Sequence, residues 1–358
     1  MHTKCWWPPQ ACTIAVRYAA VRKQGFKDTS EKEEVAILDY KFTQYRLLKQ
    51  LGFAIANKFA CNYFLSRLGD FKDLVGGGSN QIAGFDDISE LHATAAGMKG
   101  FCCERAAVGI EDCRKACGGH GYLLSTGIAA LQADYKWRAT AEGDTVVMLL
   151  ETAKYLIKSV QEARKGVALI GLAQCLAVIG QPGFDLARTA PPKPTSAEGW
   201  LDIAFLQKLF EARTIAAVYS ADQALLERTR AGQDARAAFA DCTLQMMRAG
   251  ECHVAYFMLT SFKNTVEQVS DAACKEVLRT LCALFGLSEV LDGAMWSSLL
   301  DGLDETRAQM AAGLACGLLR PNAVALVDCF EYPDLILNST LGREDGNVYE
   351  VPPTPSSV

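Results

Sequence analysis

Apolar residues recur every three or four positions through most of the chain, which is the spacing of helices that bury one face. The stretch 37–68 contains no proline and predicts a helix of roughly 30 residues, and a second long helix is predicted over 89–117. No stretch alternates apolar and polar residues convincingly, as a strand would. The pattern is most regular over 145–162, with apolar side chains at Val146, Leu149, Leu150, Ala153, Leu156, Ile157 and Val160. We therefore predict an all-α fold.

Helical spacing also occurs over 11–23 and continues in the second half of the chain, over 200–230, 233–249, 253–269, 271–285 and 306–319. Four of the eleven prolines fall within 182–194 and indicate a linker. We therefore predict two consecutive helical bundles. The predicted order is a separate segment at 1–10, a first bundle at 11–165, a helix and Pro-rich linker at 166–195, a second bundle at 196–345 and a disordered tail at 346–358.

Composition narrows the range of functions. The 358 residues carry a net charge of −5, which argues against nucleic acid as the main partner. The fourteen cysteines are scattered through apolar helical stretches and only four histidines are present, so we predict reduced, mostly buried thiols and no metal site. The uncharged stretch 166–184 contains Pro182, and its purely apolar part is shorter than the ~20 residues that a bilayer requires. No membrane span is predicted.

The candidate chemistry lies in 111–147. A helix is expected to end at Gly118-Gly119, and a lone glutamate, Glu142, stands directly before Gly143 and a new apolar helix. A carboxylate beside a glycine-opened backbone is a candidate general base. The ordinary alternative is an acid in the first turn of a helix, stabilised by the helix dipole. Gly118 and Gly119 can equally be a simple helix C-cap, and His120 a loop histidine with a structural hydrogen bond.

Several stretches resemble the acyl-CoA oxidases, within the acyl-CoA dehydrogenase superfamily, and the resemblance covers the C-terminal half of that family over about 11–350. The most specific are ELHATAAGMKG at 90–100 with GIEDCRKACGGHGY at 109–122, AEGDTVVMLLETAKYLIK at 141–158 and ACTIAVRYAAVRKQ at 11–24. The stretch RPNAVALVDCFEYPDLILNSTLGREDGNVYE at 320–350 is similar to the closing segment of the oxidases, which the dehydrogenases proper lack.

The resemblance implies FAD-dependent oxidation of an acyl-CoA to a trans-2-enoyl-CoA, with molecular oxygen reduced to hydrogen peroxide. Glu142 matches the base that removes the proton alpha to the thioester carbonyl, and Gly143 the residue that leaves room for the substrate. Such a base is strengthened when the bound acyl chain excludes water, because desolvation raises the pKa of a carboxyl. The dehydrogenase branch, which passes its electrons to a partner protein, is the nearer alternative.

The resemblance also assigns the cofactor residues. Arg22 matches an arginine that reaches the FAD pyrophosphate across a dimer interface, and Gln24 is a weaker polar contact nearby. Gly118 and Gly119 match glycines that approach the adenine half of FAD, and Lys115 matches a residue lining the same site. Asp144 corresponds to a flavin contact. The implied partners are an acyl-CoA, oxygen, and a second copy or a full-length oxidase.

The chain departs from the family pattern in three places. Ala141 replaces the usual aromatic residue before the base, and Thr145 replaces an asparagine. No counterpart of the N-terminal helical and β domains is found, so the purified chain is expected to bind FAD weakly and turn over little. The alternative to an enzyme is therefore a non-catalytic truncated paralogue that acts as a dimerisation module. The implied location is the peroxisome, although the chain ends Ser356-Ser357-Val358 rather than with a Ser-Lys-Leu type signal.

Overall fold

The computed structural model describes residues 7–26, 32–76, 85–293 and 304–349. Within these ranges the only extended pairing is an isolated bridge between Lys23 and Ala36, so the all-α prediction is confirmed. The α-helices of the described residues are α1 (Trp7–Val21), α2 (Lys41–Gly76), α3 (Phe85–Ala116), α4 (Ile128–Tyr135), α5 (Thr145–Arg164), α6 (Ile203–Arg230), α7 (Ala235–Asp241), α8 (Thr243–Glu267), α9 (Ala272–Asp292), α10 (Glu305–Leu319), α11 (Ala323–Asp328) and α12 (Asp334–Leu337).

Most predicted helices are found within a few residues of their expected ends, but three expectations are corrected. The break predicted near Gly250 is wrong, because α8 runs through it and the missing side chain lets α8 approach Leu149 on α5. The stretch between Gly119 and Glu142, where no helix was predicted, contains α4 and several 3₁₀ turns. The apolar stretch after α5 is a 3₁₀ helix, Gly171–Gly180, rather than an α-helix. The predicted tail from residue 350 onward and most of segment 1–10 lie outside the described residues.

One hydrophobic core joins the two halves of the chain. Residues of α1, α2 and α3 belong to the same buried cluster as residues of α6, α8, α9 and α10. Phe59 of α2 meets Phe262 of α8 edge to face, with ring centroids 5.3 Å apart. Buried Arg17 of α1 donates to Asp328 at 2.8 Å and to the Gly342 carbonyl at 2.7 Å, which ties α1 to the end of the chain. The domain division at 166–195 stays a prediction, and the packing across it is continuous.

Close packing of α3 against α5 positions the loop before α5. A Cβ on Gly97 would lie 2.7 Å from the Thr152 hydroxyl oxygen, and one on Gly100 would lie 3.1 Å from the Thr145 carbonyl oxygen. Both are closer than ordinary packing allows, so glycine at these two positions lets the helices approach. Lys99, one of the two residues between these glycines, is thereby brought against the loop that carries Glu142.

Most of the described cysteine side chains are buried, as the sequence predicts. The described cysteines are free, and ten of the thirteen are buried, which confirms the prediction of mostly buried thiols.

One described stretch, Glu305–Asp328, is long and apolar enough to cross a membrane by composition. A single stretch of this kind is weak support for a span, because core helices of soluble proteins meet the same test. Its residues Ala308, Ala311, Ala315 and Leu319 belong to the shared core.

Candidate functional site

Glu142 lies in an unusual backbone conformation just before α5. Its φ is 59°, and Gly143 follows with φ 104°, so two consecutive residues are left-handed. Asp144 then caps α5, since its side chain accepts from the amides of Val146 at 2.9 Å and Val147 at 3.2 Å. Glu142 is therefore outside the helix, and the ordinary alternative of a first-turn acid is wrong. A glutamate with positive φ is strained, which is characteristic of residues whose position matters.

The loop 139–144 is held from beneath by α3. Lys99 Nζ donates to the carbonyl oxygen of Gly143 and, at 3.4 Å, to that of Ala139. The Thr145 hydroxyl donates to the Gly100 carbonyl at 3.5 Å. Glycine is strongly favoured at 143, because residues with a side chain rarely adopt its φ of 104°. The Glu142 side chain projects from this anchored loop and is exposed.

A cavity of about 300 Å³ lies beside the loop, between α2, α3, α4 and α5. Lys99 and Met148 form part of its wall, so it adjoins the underside of Gly143. The rest of the wall is largely apolar or sulfur-containing, with Cys61, Met98, Cys102, Cys103 and Tyr135. Sequence reasoning did not find this cavity, because its wall is assembled from four helices that are distant along the chain.

The glycine turn after α3 has both a structural and an open part. Gly118 has φ 60°, as expected at a helix C-cap, and a Cβ built on Gly118 or Gly119 would meet no atom within 4 Å. The C-cap interpretation therefore holds for Gly118, and the backbone at both residues is open to an approaching ligand. Gly121 differs, since a Cβ there would overlap the Arg114 carbonyl oxygen. Sequence reasoning missed this third glycine.

Arg22 lies close to the same turn. The Tyr18 hydroxyl is 3.1 Å from Nδ1 of His120, so the end of α1 and the glycine turn are neighbours. Arg22 donates to the Tyr349 hydroxyl at 3.0 Å, and this hydrogen bond raises the pKa of the guanidinium. Burial raises the pKa of the Tyr18 phenol, while the charge of Arg22 opposes that rise. His120 thus has the structural partner that its ordinary interpretation requires.

The other predicted cofactor residues are exposed. Lys115 forms an ion pair with Glu111 at 3.6 Å and lines a surface groove of about 980 Å³ together with Arg114 and Tyr122. Gln24 pairs through its backbone, donating to the Val35 carbonyl at 3.0 Å. Asp144, whose carboxylate caps α5, has the structural role described above. Among the described residues no group of histidine, cysteine and carboxylate side chains is arranged to hold a metal ion.

The predicted site residues fall into two regions. Arg22, Gly118 and Gly119 lie at the C-terminal end of α3, whereas Glu142, Gly143 and Asp144 are held by Lys99. Eighteen residues of α3 and its cap separate Lys99 from Cys117, or about 27 Å at 1.5 Å per residue. The structure therefore places Arg22 near Gly118 and Gly119, and Glu142 beside Gly143 and Asp144, but does not bring the two groups together within one chain.

Comparison with known proteins assigns the chain to a class of helical oxidoreductase domains. The profile of the family "Acyl-CoA oxidase, C-alpha1 domain" matches residues 1–157, and the profile "Acyl-CoA oxidase" matches residues 202–351. The chain therefore belongs to the acyl-CoA oxidase family. It is 35% identical over 349 residues to peroxisomal acyl-coenzyme A oxidase 1 of Rattus norvegicus, and 33% identical over 347 residues to the protein of that name in Homo sapiens. Each alignment covers 95% of this chain and 51% of the relative.

Solved structures show the same relationship. Acyl-CoA oxidase 1 of Arabidopsis thaliana superposes with a TM-score of 0.86 at 30% identity, covering 97% of this chain and 51% of that one. Acyl-CoA oxidase-2 of Caenorhabditis elegans, solved with FAD, ascaroside-CoA and ATP, gives 0.84 at 30% identity, covering 97% and 50%. The chain spans about half the length of the relatives it matches, which agrees with the resemblance to their C-terminal half.

Proposed function

We propose that this chain is the C-terminal part of an FAD-dependent acyl-CoA oxidase, which forms trans-2-enoyl-CoA and hydrogen peroxide. The observation that carries the proposal is the exposed carboxylate of Glu142, in a left-handed backbone followed by Gly143 on an anchored loop. The peroxisomal relatives support a peroxisomal location and a role in the first step of fatty-acid β-oxidation.

Glu142 has the chemistry that the reaction needs. Its carboxylate accepts the proton alpha to the thioester carbonyl, and the electron pair of that C–H bond becomes the new carbon–carbon double bond as a hydride leaves the beta carbon. FAD, when bound, would accept this hydride and would pass two electrons and two protons to molecular oxygen, giving hydrogen peroxide. Gly143 itself adds no side chain next to the carboxylate, and the end of Met148 lies where a Cβ of residue 143 would be.

The residues present fit FAD. The open backbone at Gly118 and Gly119 allows close approach of a planar ring, and Arg22 offers a guanidinium for a phosphate at the neighbouring surface. Because these residues lie roughly 27 Å along α3 from the Glu142 loop, we propose that the two regions serve flavins shared between protomers. The partner is a second copy of this chain or a full-length oxidase.

The test uses the chain joined to the N-terminal half of a curated relative, with peroxide release from a saturated acyl-CoA as the readout. Glu142→Gln should lower turnover by at least about 10²-fold while FAD stays bound, because the amide cannot accept the alpha proton. Glu331→Gln is the matched control, since Glu331 is also an exposed glutamate with positive φ, 55°. Turnover by Glu142→Gln close to that of the control would remove Glu142 from its role.

A non-catalytic role as an interaction module is the second candidate. It is favoured by the exposure of the Glu142 side chain, because a base of this kind is strengthened when water is excluded. If the joined protein binds FAD but neither wild type nor control releases peroxide, and the chain instead co-elutes with a full-length oxidase, this second function is the correct one. A dehydrogenase would need an electron-accepting partner in place of oxygen, and the oxidase profile over 202–351 argues against it.

A further inference from the structure

We propose that Lys99 is the positioning residue that holds Glu142 in its left-handed conformation. The inference rests on the proposed role of Glu142 as base. Lys99 lies on α3, 43 residues before Glu142, and the sequence alone assigns it no role. Its ammonium group is half-buried against the loop and donates to the carbonyl oxygens of Gly143 and Ala139.

The two carbonyls lie on either side of the strained residue. Ala139 precedes Glu142 by three positions, and Gly143 follows it directly, so one ammonium group fixes the peptide planes at both ends of the short segment. Positive φ at a non-glycine residue costs free energy and persists only when the surroundings enforce it. Hydrogen bonds from a charged donor are stronger than neutral ones, and these two bonds supply that enforcement.

Among the described residues, the partners of the Lys99 ammonium group are main-chain carbonyls. Within the described part of the chain, no carboxylate lies at ion-pair distance from Lys99, and the nearby Glu151 pairs with Lys154 at 2.5 Å. Lys99 also contributes to the wall of the cavity of about 300 Å³ beside the loop. Lys99 is thus placed to act on the main chain of the loop rather than on an acidic side chain.

The contact with Lys99 affects the reaction through the direction in which the Glu142 carboxylate points. A base transfers a proton efficiently only from a defined distance and direction, and a misplacement of about 1 Å can cost about 10²-fold in rate. Since Glu142 projects from a loop and not from a regular helix, its direction depends on the backbone angles at 142 and 143. Lys99 touches neither substrate nor cofactor in this scheme. It acts through the peptide planes.

The experiment measures amide hydrogen exchange in the chain as it exists. Lys99→Met keeps the aliphatic length in the cavity wall but removes the donors, and should speed exchange of the amides of residues 140–147 by about tenfold, as expected for loss of hydrogen bonds from a charged group. Lys99→Arg retains donors and should restore most of the protection. Lys158→Met, on the exposed side of α5, is the matched control and should leave the loop unchanged.

Two results would overturn the proposal. One is exchange at wild-type rates in the loop of Lys99→Met. The other is faster exchange spread evenly along α3 and α5, which would show a general packing role that Lys99→Arg does not specifically rescue. Neither result depends on turnover, so failure of this inference is distinguishable from failure of Glu142→Gln to lower peroxide release.

Discussion

Single residues in the turn Gly118–Tyr122 have different physical roles although three of them are glycine. Gly118 provides the positive φ that ends α3, Gly119 leaves open space, and Gly121 lies against the backbone of Arg114. The open position is the one expected to face a ligand, whereas the crowded one is needed for the chain to fold. A side chain added at each position therefore tests the two roles separately.

Gly121→Ala should lower the free energy of unfolding by at least about 2 kcal/mol, because the new Cβ cannot fit beside the Arg114 carbonyl without moving backbone. Gly119→Ala has open space and should change the free energy of unfolding by less than about 0.5 kcal/mol. Urea denaturation followed by circular dichroism measures both. Equal destabilisation by the two variants would contradict the assignment of Gly121 as the structural glycine.

At the scale of elements, α8 contains a buried group whose protonation is linked to folding. His253 is 4% exposed, and its Nδ1 has no hydrogen-bond partner among the described residues. Burial lowers the pKa of His253 from 6.5 to about 4. The unfolded chain therefore binds this proton more readily than the folded chain. The contribution of neutral His253 to the free energy of unfolding is fully present above about pH 6.5 and is lost as the pH falls toward 4.

Between pH 6.5 and 4, protonation of His253 should lower the free energy of unfolding of the wild-type protein by up to about 3 kcal/mol. His253→Leu should remove that part of the pH dependence. His92→Leu is the control, because His92 is exposed at the start of α3. Thermal unfolding at several pH values gives the comparison. A pH profile for His253→Leu with the same slope as that of His92→Leu would show that His253 is not the titrating group.

Regular helices were predictable and the site between them only in part. α5 was expected at 145–162 and is found at Thr145–Arg164, since its apolar face repeats without interruption. The all-helical class follows from many such stretches. Short 3₁₀ turns such as Lys136–Ala139 have no periodicity long enough to recognise. Glu142 was found through its glycine neighbour, but its positive φ and the contact with Lys99 depend on packing between helices, which local sequence does not encode.

For the whole molecule, the important feature is a core that continues across the Pro-rich linker. Phe59 packs on Phe262. Gly52 lies close to Phe285, since a Cβ added to this glycine would be 3.4 Å from the Cβ of Phe285. If the halves were separated, each would expose a large part of this core to water. The two halves are therefore expected to stabilise each other and to unfold in one step.

Residues 1–165 or 166–358 expressed alone should show no cooperative thermal transition, because each fragment lacks half of the shared core. A protease site placed between Arg188 and Pro194, in the exposed linker, provides the matched control. Cleavage of the folded chain there should leave the two pieces associated on gel filtration. A sharp, reversible transition of the first fragment alone would show two independent bundles instead.

The hydrogen bonds that Lys99 makes have a consequence for how this family can vary. Main-chain carbonyls are the same whichever amino acid carries them, so the hydrogen bonds to residues 139 and 143 place no demand on the side chains at 140 and 141. Alanine at 141, where the family resemblance leads one to expect an aromatic ring, leaves the anchor intact. Substitutions in this segment can therefore reshape the space around a substrate during divergence while the carboxylate keeps its direction.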